Sequence, residues 1–320
     1  MLMKRVGAGI YAIGLIALGA GAAYSQIYPT KPVRIVTGAA GGGSDFASRL
    51  IAQGISGALG QPVIVDNRGG ALLSQEAVAK APPDGYTLLF TGQSFWVTPL
   101  LQVTPYDPVR DFAPISIATS APNALAVHPS LPVKSVKELI ALAKARPGDI
   151  NYGAGGPGSA PTLTMELFKA MAGVNIVRVP YKAIAQAATD LVAGHVQVMF
   201  PAIGLVTPHV ASGKLKVLAV TSAKPTALLP GVPTVAATGL PGFAMVTPDG
   251  ILAPAKTPAV IINRLNQEIV RHLSTAEAKK RFLDTGVDVV GSTPEEFAAF
   301  IKSDMATLGK VIKDAGIKPD

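Results

Sequence analysis

The stretch VRIVTGAAGGGSDFASRLI, residues 33–51, joins a short β-branched run to a glycine-rich turn and then to an amphipathic segment. Residues 33–36 predict a strand, and the apolar residues between Phe46 and Leu59 fall on one face of a helix. Ser44 is predicted to cap this helix and Asp45 to open it. A strand that passes through glycines into a helix is a βα unit, which is typical of α/β proteins.

The same alternation of strand and helix continues along the chain, which predicts an α/β fold with largely parallel sheets. A second series contains a strand near Asn151, a glycine-rich turn over residues 153–158 and a further helix. Three capping boxes predict helix starts, at Ser135 with Glu138, Ser274 with Glu277, and Thr293 with Glu296. Two βα series of this kind predict two similar lobes, with a ligand at the carboxyl ends of the strands.

The composition fits a globular protein of two domains. The chain has 320 residues, of which 49% are hydrophobic and 15% charged, with 33 Gly and 27 Pro. These values exclude intrinsic disorder, coiled coil and collagen. There is no Cys, so a disulfide framework and a thiol nucleophile are excluded. The formal net charge is +8, but the basic residues are scattered singly, so no nucleic-acid partner is expected.

The first 25 residues predict a secretory signal peptide. Lys4 and Arg5 precede an uncharged apolar stretch over residues 6–20, and Ala23 and Ser25 supply the small residues that signal peptidase reads. A membrane anchor is the alternative, but the apolar stretch is short for the ~20 residues that a span needs. We therefore expect cleavage after residue 25 and a periplasmic protein.

The first glycine-rich turn predicts an anion site. Its candidate ligand-binding residues are Ala40, Gly41, Gly42, Gly43, Ser44 and Asp45. Exposed N–H groups and the positive end of the helix dipole would bind a carboxylate or phosphate. The turn lacks the Lys of a P-loop, which disfavours a nucleoside triphosphate. A tight turn that only serves helix packing is the alternative, and a phosphate or sulfate scaffold is a further one.

The sequence gives little support to an enzyme. Gly153, Gly155 and Gly158 satisfy G-x-G-x-x-G, but the next strand ends at Lys182 without the acid that a dinucleotide ribose needs. The four His residues show no metal-ligand spacing, and Ser94 misses the G-x-S-x-G elbow of hydrolases. We expect no catalytic residue, no metal and no cofactor. A hydrolase or dinucleotide-dependent oxidoreductase that acts on a small anion is the alternative.

Ten ordered motifs from Tyr28 to the C-terminal region carry a family resemblance. They are YPTKPVR (28–34), AGGGSD (40–45), GQPV (60–63), DNR (66–68), PDGYTLL (83–89), YDPVRDFAP (106–114), NYG (151–153), VPYK (179–182), LAVTS (218–222) and PEEF (294–297). With these motifs the chain resembles the extracytoplasmic solute receptors of the tripartite tricarboxylate transporter family, also called Bug receptors.

The resemblance implies a type II periplasmic binding protein, in which two α/β lobes are joined by crossover strands around a ligand cleft. Lobe I is expected to comprise residues 26–125 and 251–320, and lobe II residues 126–250. The expected partners are a small organic carboxylate, an aromatic or dicarboxylic acid, and the membrane permease subunits of a tripartite transporter. A monomer is expected.

The resemblance also implies which loops hold the ligand. The first glycine-rich turn and the loop over residues 153–162 would clasp one carboxylate, the second through Gly155, Gly156, Gly158, Ser159 and Thr162. The loop after the third strand would line the rest of the pocket, through Gln93, Ser94, Phe95 and Trp96. Because Phe95 and Trp96 are adjacent aromatic residues, we hypothesise that they select an aromatic or bulky carboxylate.

Overall fold

The computed structural model of the protein describes residues 28–70 and 72–318. The predicted signal peptide and its cleavage site lie outside these residues. Among the helices within them, none has the length and apolar character to cross a membrane.

The first sheet contains six strands in the order β11-β4-β10-β3-β1-β2. The strands are β1 Val33–Thr37, β2 Val63–Asn67, β3 Thr87–Gly92, β4 Phe112–Pro122, β10 Val246–Pro254 and β11 Asp288–Val289. β1 runs parallel to both β2 and β3, whereas β10 is antiparallel to β3 and β4. The sheet is therefore mixed.

The second sheet contains five strands in the order β7-β6-β8-β5-β9. They are β5 Ala124–Val127, β6 Asn151–Ala154, β7 Val177–Pro180, β8 Val198–Met199 and β9 Lys216–Val220. β6 is parallel to β7 and β8, and β5 is antiparallel to β8 and β9. The expectation of largely parallel sheets is therefore wrong for β10 and β5, because each of these two strands runs against the direction of the βα units in its sheet.

Helices follow most of the strands and cover the sheets. Their bounds are α1 Gly43–Leu59, α2 Leu73–Ala79, α3 Ser94–Leu101, α4 Val136–Ala145, α5 Ala160–Ala172, α6 Ile184–Ala193, α7 Ile203–Ala211, α8 Val235–Thr238, α9 Ala259–Ser274, α10 Ala276–Leu283 and α11 Pro294–Asp314.

Two stretches of chain connect the sheets. β4 ends at Pro122, and after Asn123 the chain continues directly into β5 of the second sheet. The return begins at Met245, whose N–H donates to the carbonyl of Thr221, and leads into β10 of the first sheet. Because β4 and β10 pair with each other, the two connections lie side by side.

One continuous buried cluster joins the two sheets. It contains Leu89 and Trp96 from the first sheet and its helices, and Tyr152 and Phe200 from the second. The long helix α11 contributes Phe297 to the same cluster. A second cluster, which includes Ile35, Ile51 and Leu265, lies under α1 and α9. The sheets therefore share part of their apolar core, and each is also packed by its own helices.

The observed N-caps agree with only some of the predicted ones. Thr293 and Glu296 form the predicted capping box of α11. Ser135 accepts from the Glu138 N–H, but the Glu138 carboxylate accepts from the Lys134 N–H instead of closing the box. The box at Ser274 is wrong by one residue, because Thr275 caps α10 and Ser274 ends α9. The cap at Ser44 is also wrong, because α1 begins after Gly42.

Candidate functional site

A cavity of about 490 Å³ lies where the carboxyl ends of β1 and β3 face the start of α5. We call it the main cavity. Its lining is supplied by the β1–α1 turn, α2, β3 with the following turn, the start of α5, and β10: Gly38, Ser44, Gly70, Ser74, Gln75, Phe90, Thr91, Gly92, Gln93, Ser94, Val97, Gly158, Ser159, Ala160, Thr247 and Asp249. Both sheets thus contribute residues to one cavity.

The first glycine-rich turn is held by Asp45. The Gly41 N–H donates to Oδ2 of Asp45 over 2.9 Å, and Gly41 has a φ of +83°, which a side chain would strain. Oδ1 of Asp45 accepts from Asn67 and pairs with Arg49, each over 2.9 Å. These contacts, with the Gly41 bond first, lower the pKa of Asp45. Asp45 therefore organises the turn and lies outside the main cavity.

The start of α1 opens toward this region without a side-chain cap. Gly42 is the N-cap, so the N–H groups of the first helical turn have no intrahelical acceptors. Ser44 lines the main cavity, and Gly41, Gly42 and Gly43 line an adjoining cavity of about 220 Å³. Ala40 is exposed and lines neither of these cavities. The positive end of the α1 dipole is thus available to an anion.

The second glycine-rich turn is held by Thr162, which is fully buried. Its Oγ1 donates to the Gly156 carbonyl over 3.0 Å and also lies 2.9 Å from Oγ of Ser159. Gly158, Ser159 and Ala160 line the main cavity. The predicted contact residues Gly155, Gly156 and Thr162 do not line it, and Thr162 shapes the turn instead.

The residues that follow β3 have two environments: some line the main cavity and others are buried in the apolar core. Gln93 and Ser94 line the main cavity. Phe95 and Trp96 are fully buried and belong to the apolar core, so the hypothesis that they select the ligand is wrong. Their rings pack on other rings: Phe95 stacks on Tyr106, and Trp96 meets Phe297 edge to face. Neither ring lines the main cavity, because Trp96 packs against α11 and Phe95 packs against Tyr106 and Phe112.

Asp249 is the site residue that the sequence reasoning missed. It lies on β10 and lines both the main cavity and the adjoining one. Burial raises the pKa of its carboxyl group to about 6, and the hydrogen bond from Thr119 offsets this only in part. The sequence does carry a signal, since Asp249 is the only charged residue between Lys224 and Lys256.

Comparison with known proteins identifies the family. Residues 47–317 match the profile described as "Tripartite tricarboxylate transporter family receptor". The chain is 33% identical over 315 residues to the protein BugT of Bordetella pertussis, which covers 96% of this chain and 97% of that protein. The chain belongs to this receptor family.

Two solved structures show the same fold. Rpa4515 from R. palustris, with adipate, is 35% identical to this chain and superposes with a TM-score of 0.71. The alignment covers 92% of this chain and 100% of that one. A TctC solute binding protein from Polaromonas, with no ligand, is 26% identical with a TM-score of 0.81, covering 90% of this chain and 99% of that one. The family is one of periplasmic solute receptors.

The family match does not cover the whole candidate site. It begins at residue 47, so the first glycine-rich turn precedes it, while the second turn, α3 and β10 lie within it. Across the described residues, no cluster of three or more His, Asp or Glu is placed to hold a metal ion. The described lining of the main cavity offers hydroxyl, amide and backbone groups together with the Asp249 carboxylate, and groups of this kind orient polar ligands by hydrogen bonds.

Proposed function

We propose that this chain is a periplasmic receptor that binds a small organic carboxylate in the main cavity and delivers it to the membrane subunits of a tripartite transporter. One observation carries the proposal: the helix starts that follow the two glycine-rich turns, one from each sheet, supply Ser44 and Ser159 to the same cavity. Each helix start offers free N–H groups and partial positive charge to a carboxylate.

The lining of the cavity supports a carboxylate bound without a cationic side chain. No Lys, Arg or His appears among the described residues that line it. Helix dipoles and backbone N–H groups can replace such a cation, as they do at many anion sites. The adipate in the R. palustris relative supports the same ligand class.

The proposed binding motion follows from the two connections between the sheets. We assign residues 26–122 and 246–320 to lobe I and residues 124–245 to lobe II, a few residues from the expected bounds, because the whole of β5 belongs to the second sheet and the whole of β10 to the first. A ligand held by α1 and α5 at once contacts both lobes, so it binds a closed arrangement more tightly than an open one. The paired strands β4 and β10 run beside the cleft and would serve as the hinge.

The proposal includes secretion and a monomeric state. We assign residues 1–25 to a cleaved signal peptide. N-terminal sequencing of protein recovered from the periplasm is expected to begin at Gln26. Size-exclusion chromatography with light scattering is expected to give a monomer with and without ligand.

The decisive experiment is calorimetric titration of adipate into the protein expressed from the full sequence. We expect saturable binding at one site, and we expect the Gly43→Asp variant to bind at least tenfold more weakly. A Cβ at Gly43 meets nothing within 4 Å, so the new carboxylate fits the fold and competes with the ligand for the α1 N-terminus. An acid in the first turn also stabilises a helix.

Gly204→Asp is the matched control. Gly204 lies in the first turn of α7, is exposed, and has equal space for a side chain. It lines none of the cavities described above, so adipate binding should be unchanged. Equal adipate affinity in wild type and Gly43→Asp would contradict the proposed site. Stabilisation by phosphate or sulfate with none by carboxylates would instead favour an inorganic-anion scaffold, and turnover of the bound acid would favour an enzyme.

A further inference from the structure

Asp249 is placed at the point where its strand changes register. It pairs with Gly92 on β3 and with Thr119 on β4, and the pairing with β4 shifts between Asp249 and Gly250. Side chains along a regular strand alternate between the two faces of the sheet, and an irregularity of this kind changes the direction of a side chain. A Cβ on Gly92 would lie 2.6 Å from Oδ1 of Asp249, so the absence of a side chain at Gly92 leaves room for the carboxylate.

Among the described residues, none forms an ion pair with the carboxylate of Asp249. It is the only charged side chain among the described residues that line the main cavity. Its hydrogen bond with Oγ1 of Thr119 is 3.4 Å long, whereas a strong bond from a hydroxyl to a carboxylate measures about 2.5 to 2.7 Å. A desolvated carboxylate with so weak a partner is costly unless the ligand supplies a positive group.

Three carboxylates on the surrounding helices, those of Asp45, Asp304 and Glu76, are already engaged. β3 and β4 carry none, and on the surrounding helices Asp45 is bonded within its turn. Asp304 on α11 accepts from Trp96 and Gln93. Glu76 on α2 pairs with Lys80. Of these four carboxylates, Asp249 is therefore the one that is free to pair with a positive group of the ligand.

An exposed aromatic ring lies beside it. Phe46, the first apolar residue of the amphipathic pattern in α1, is 42% exposed instead of buried. It lines the adjoining cavity together with Asp249 and Thr119. The face of an aromatic ring attracts a cation, and the attraction grows where water is excluded. A carboxylate and an aromatic ring in one cavity form the environment that an ammonium group prefers.

We propose that the ligand of this receptor is an amino carboxylate, whose carboxylate binds at the N-termini of α1 and α5 and whose ammonium group pairs with Asp249 beside Phe46. The proposal rests on the proposed function, and it narrows the ligand class within that site. A plain dicarboxylate would bring a second negative charge toward Asp249. A zwitterionic ligand matches both ends of the cleft.

The test compares adipate with 2-aminoadipate, which differs by the amino group alone, by calorimetry at pH 7.5. Wild type is expected to bind 2-aminoadipate at least tenfold more tightly than adipate. Asp249→Asn is expected to lose this preference and to bind adipate more tightly than wild type does. Asp284→Asn, a control at an exposed carboxylate that pairs with Lys280, is expected to keep the wild-type preference.

The outcomes separate this proposal from the proposed function. If adipate binds tightly and 2-aminoadipate binds no more tightly, the proposed function is supported and the proposed role of Asp249 is overturned. A preference that survives in Asp249→Asn also overturns it. Failure of both acids to bind overturns the proposed function itself, and with it this proposal.

A second variant serves if Asp249→Asn does not fold. Phe46→Leu changes an exposed residue and is expected to reduce the preference for 2-aminoadipate over adipate severalfold. An unchanged preference in that variant contradicts the proposal.

Discussion

The indole Nε1 of Trp96 donates a hydrogen bond to Oδ2 of Asp304 over 2.7 Å. The same oxygen accepts from Nε2 of Gln93 over 2.9 Å. One carboxylate on α11 therefore fixes both the core residue Trp96 and the cavity residue Gln93. Burial raises the pKa of Asp304, and the two hydrogen bonds oppose that rise.

Removing this acceptor should destabilise the protein and weaken ligand binding. Asp304→Ala leaves two donors without their partner, which costs about 1 to 3 kcal/mol in the free energy of unfolding. Denaturant unfolding, followed by the emission of Trp96, measures the loss. Asp304→Asn keeps an acceptor oxygen and should recover part of the stability. Asp314→Ala, at an exposed site on the same helix, is the control and should change little.

Asp249 should make the stability of the ligand-free protein fall as pH rises. The folded state holds a proton on Asp249 up to about pH 6, whereas the unfolded chain releases it near pH 4. Between these values the folded state binds more protons, so the free energy of unfolding decreases with increasing pH. Asp249→Asn removes the effect, and it should be more stable than wild type at pH 7.5 by roughly 1 to 3 kcal/mol.

Thermal unfolding across pH checks this expectation. The difference in Tm between Asp249→Asn and wild type should be largest above pH 6.5 and should vanish below pH 4. Asp284→Asn should show no such trend, because its carboxylate is exposed. A variant less stable than wild type at pH 7.5 would mean that Asp249 is paired in the ligand-free protein.

Asp45 should have the opposite pH dependence. Its pKa is lowered in the folded state, so the stability it contributes is present above the unfolded pKa and is lost as pH falls through the folded pKa. Asp45→Ala also frees the Gly41 N–H and releases the turn at the start of α1. We expect about tenfold weaker carboxylate binding, which corresponds to about 1.4 kcal/mol.

The matched control for Asp45 is Asp66→Asn. Asp66 lies at the end of the neighbouring strand β2 and contacts Arg34 and Arg68 instead of the turn. Titration of adipate into both variants should show the loss for Asp45→Ala alone. Equal losses would show that the negative charge in this region matters and that the geometry of the turn does not.

The sequence predicts the turns far better than it predicts side-chain directions. Strand, glycine turn and helix follow from local periodicity and glycine placement, and the structure has βα units at both predicted turns. Burial depends on contacts between distant segments. The burial of Trp96 depends on α11, some 200 residues later, and no local pattern around residue 96 encodes that contact.

The same reason explains Asp249 and Phe46. Phe46 fits the apolar face of α1 by spacing, yet it is 42% exposed and lines a cavity together with residues 285 and 287, which are distant in the sequence. Asp249 reaches the site only through the pairing of β10 with β3 and β4. Strand register is a property of the assembled sheet. The sequence therefore marks Asp249 as an isolated acid in an uncharged stretch, but it does not predict which cavity the side chain lines.

Thr162 offers the sharpest test of the second glycine-rich turn. Its hydroxyl contacts the Gly156 carbonyl and Ser159, and its side chain is fully buried. Thr162→Val keeps the shape and removes the hydroxyl, so it should cost about 1 kcal/mol in stability and weaken adipate binding severalfold through the loosened turn. Thr164→Val is the matched control: Thr164 is equally buried on α5, but its hydroxyl bonds only to the Ala160 carbonyl within the helix. If both variants lose stability but keep wild-type affinity, then the fixed turn at residues 155–159 plays no part in holding the ligand.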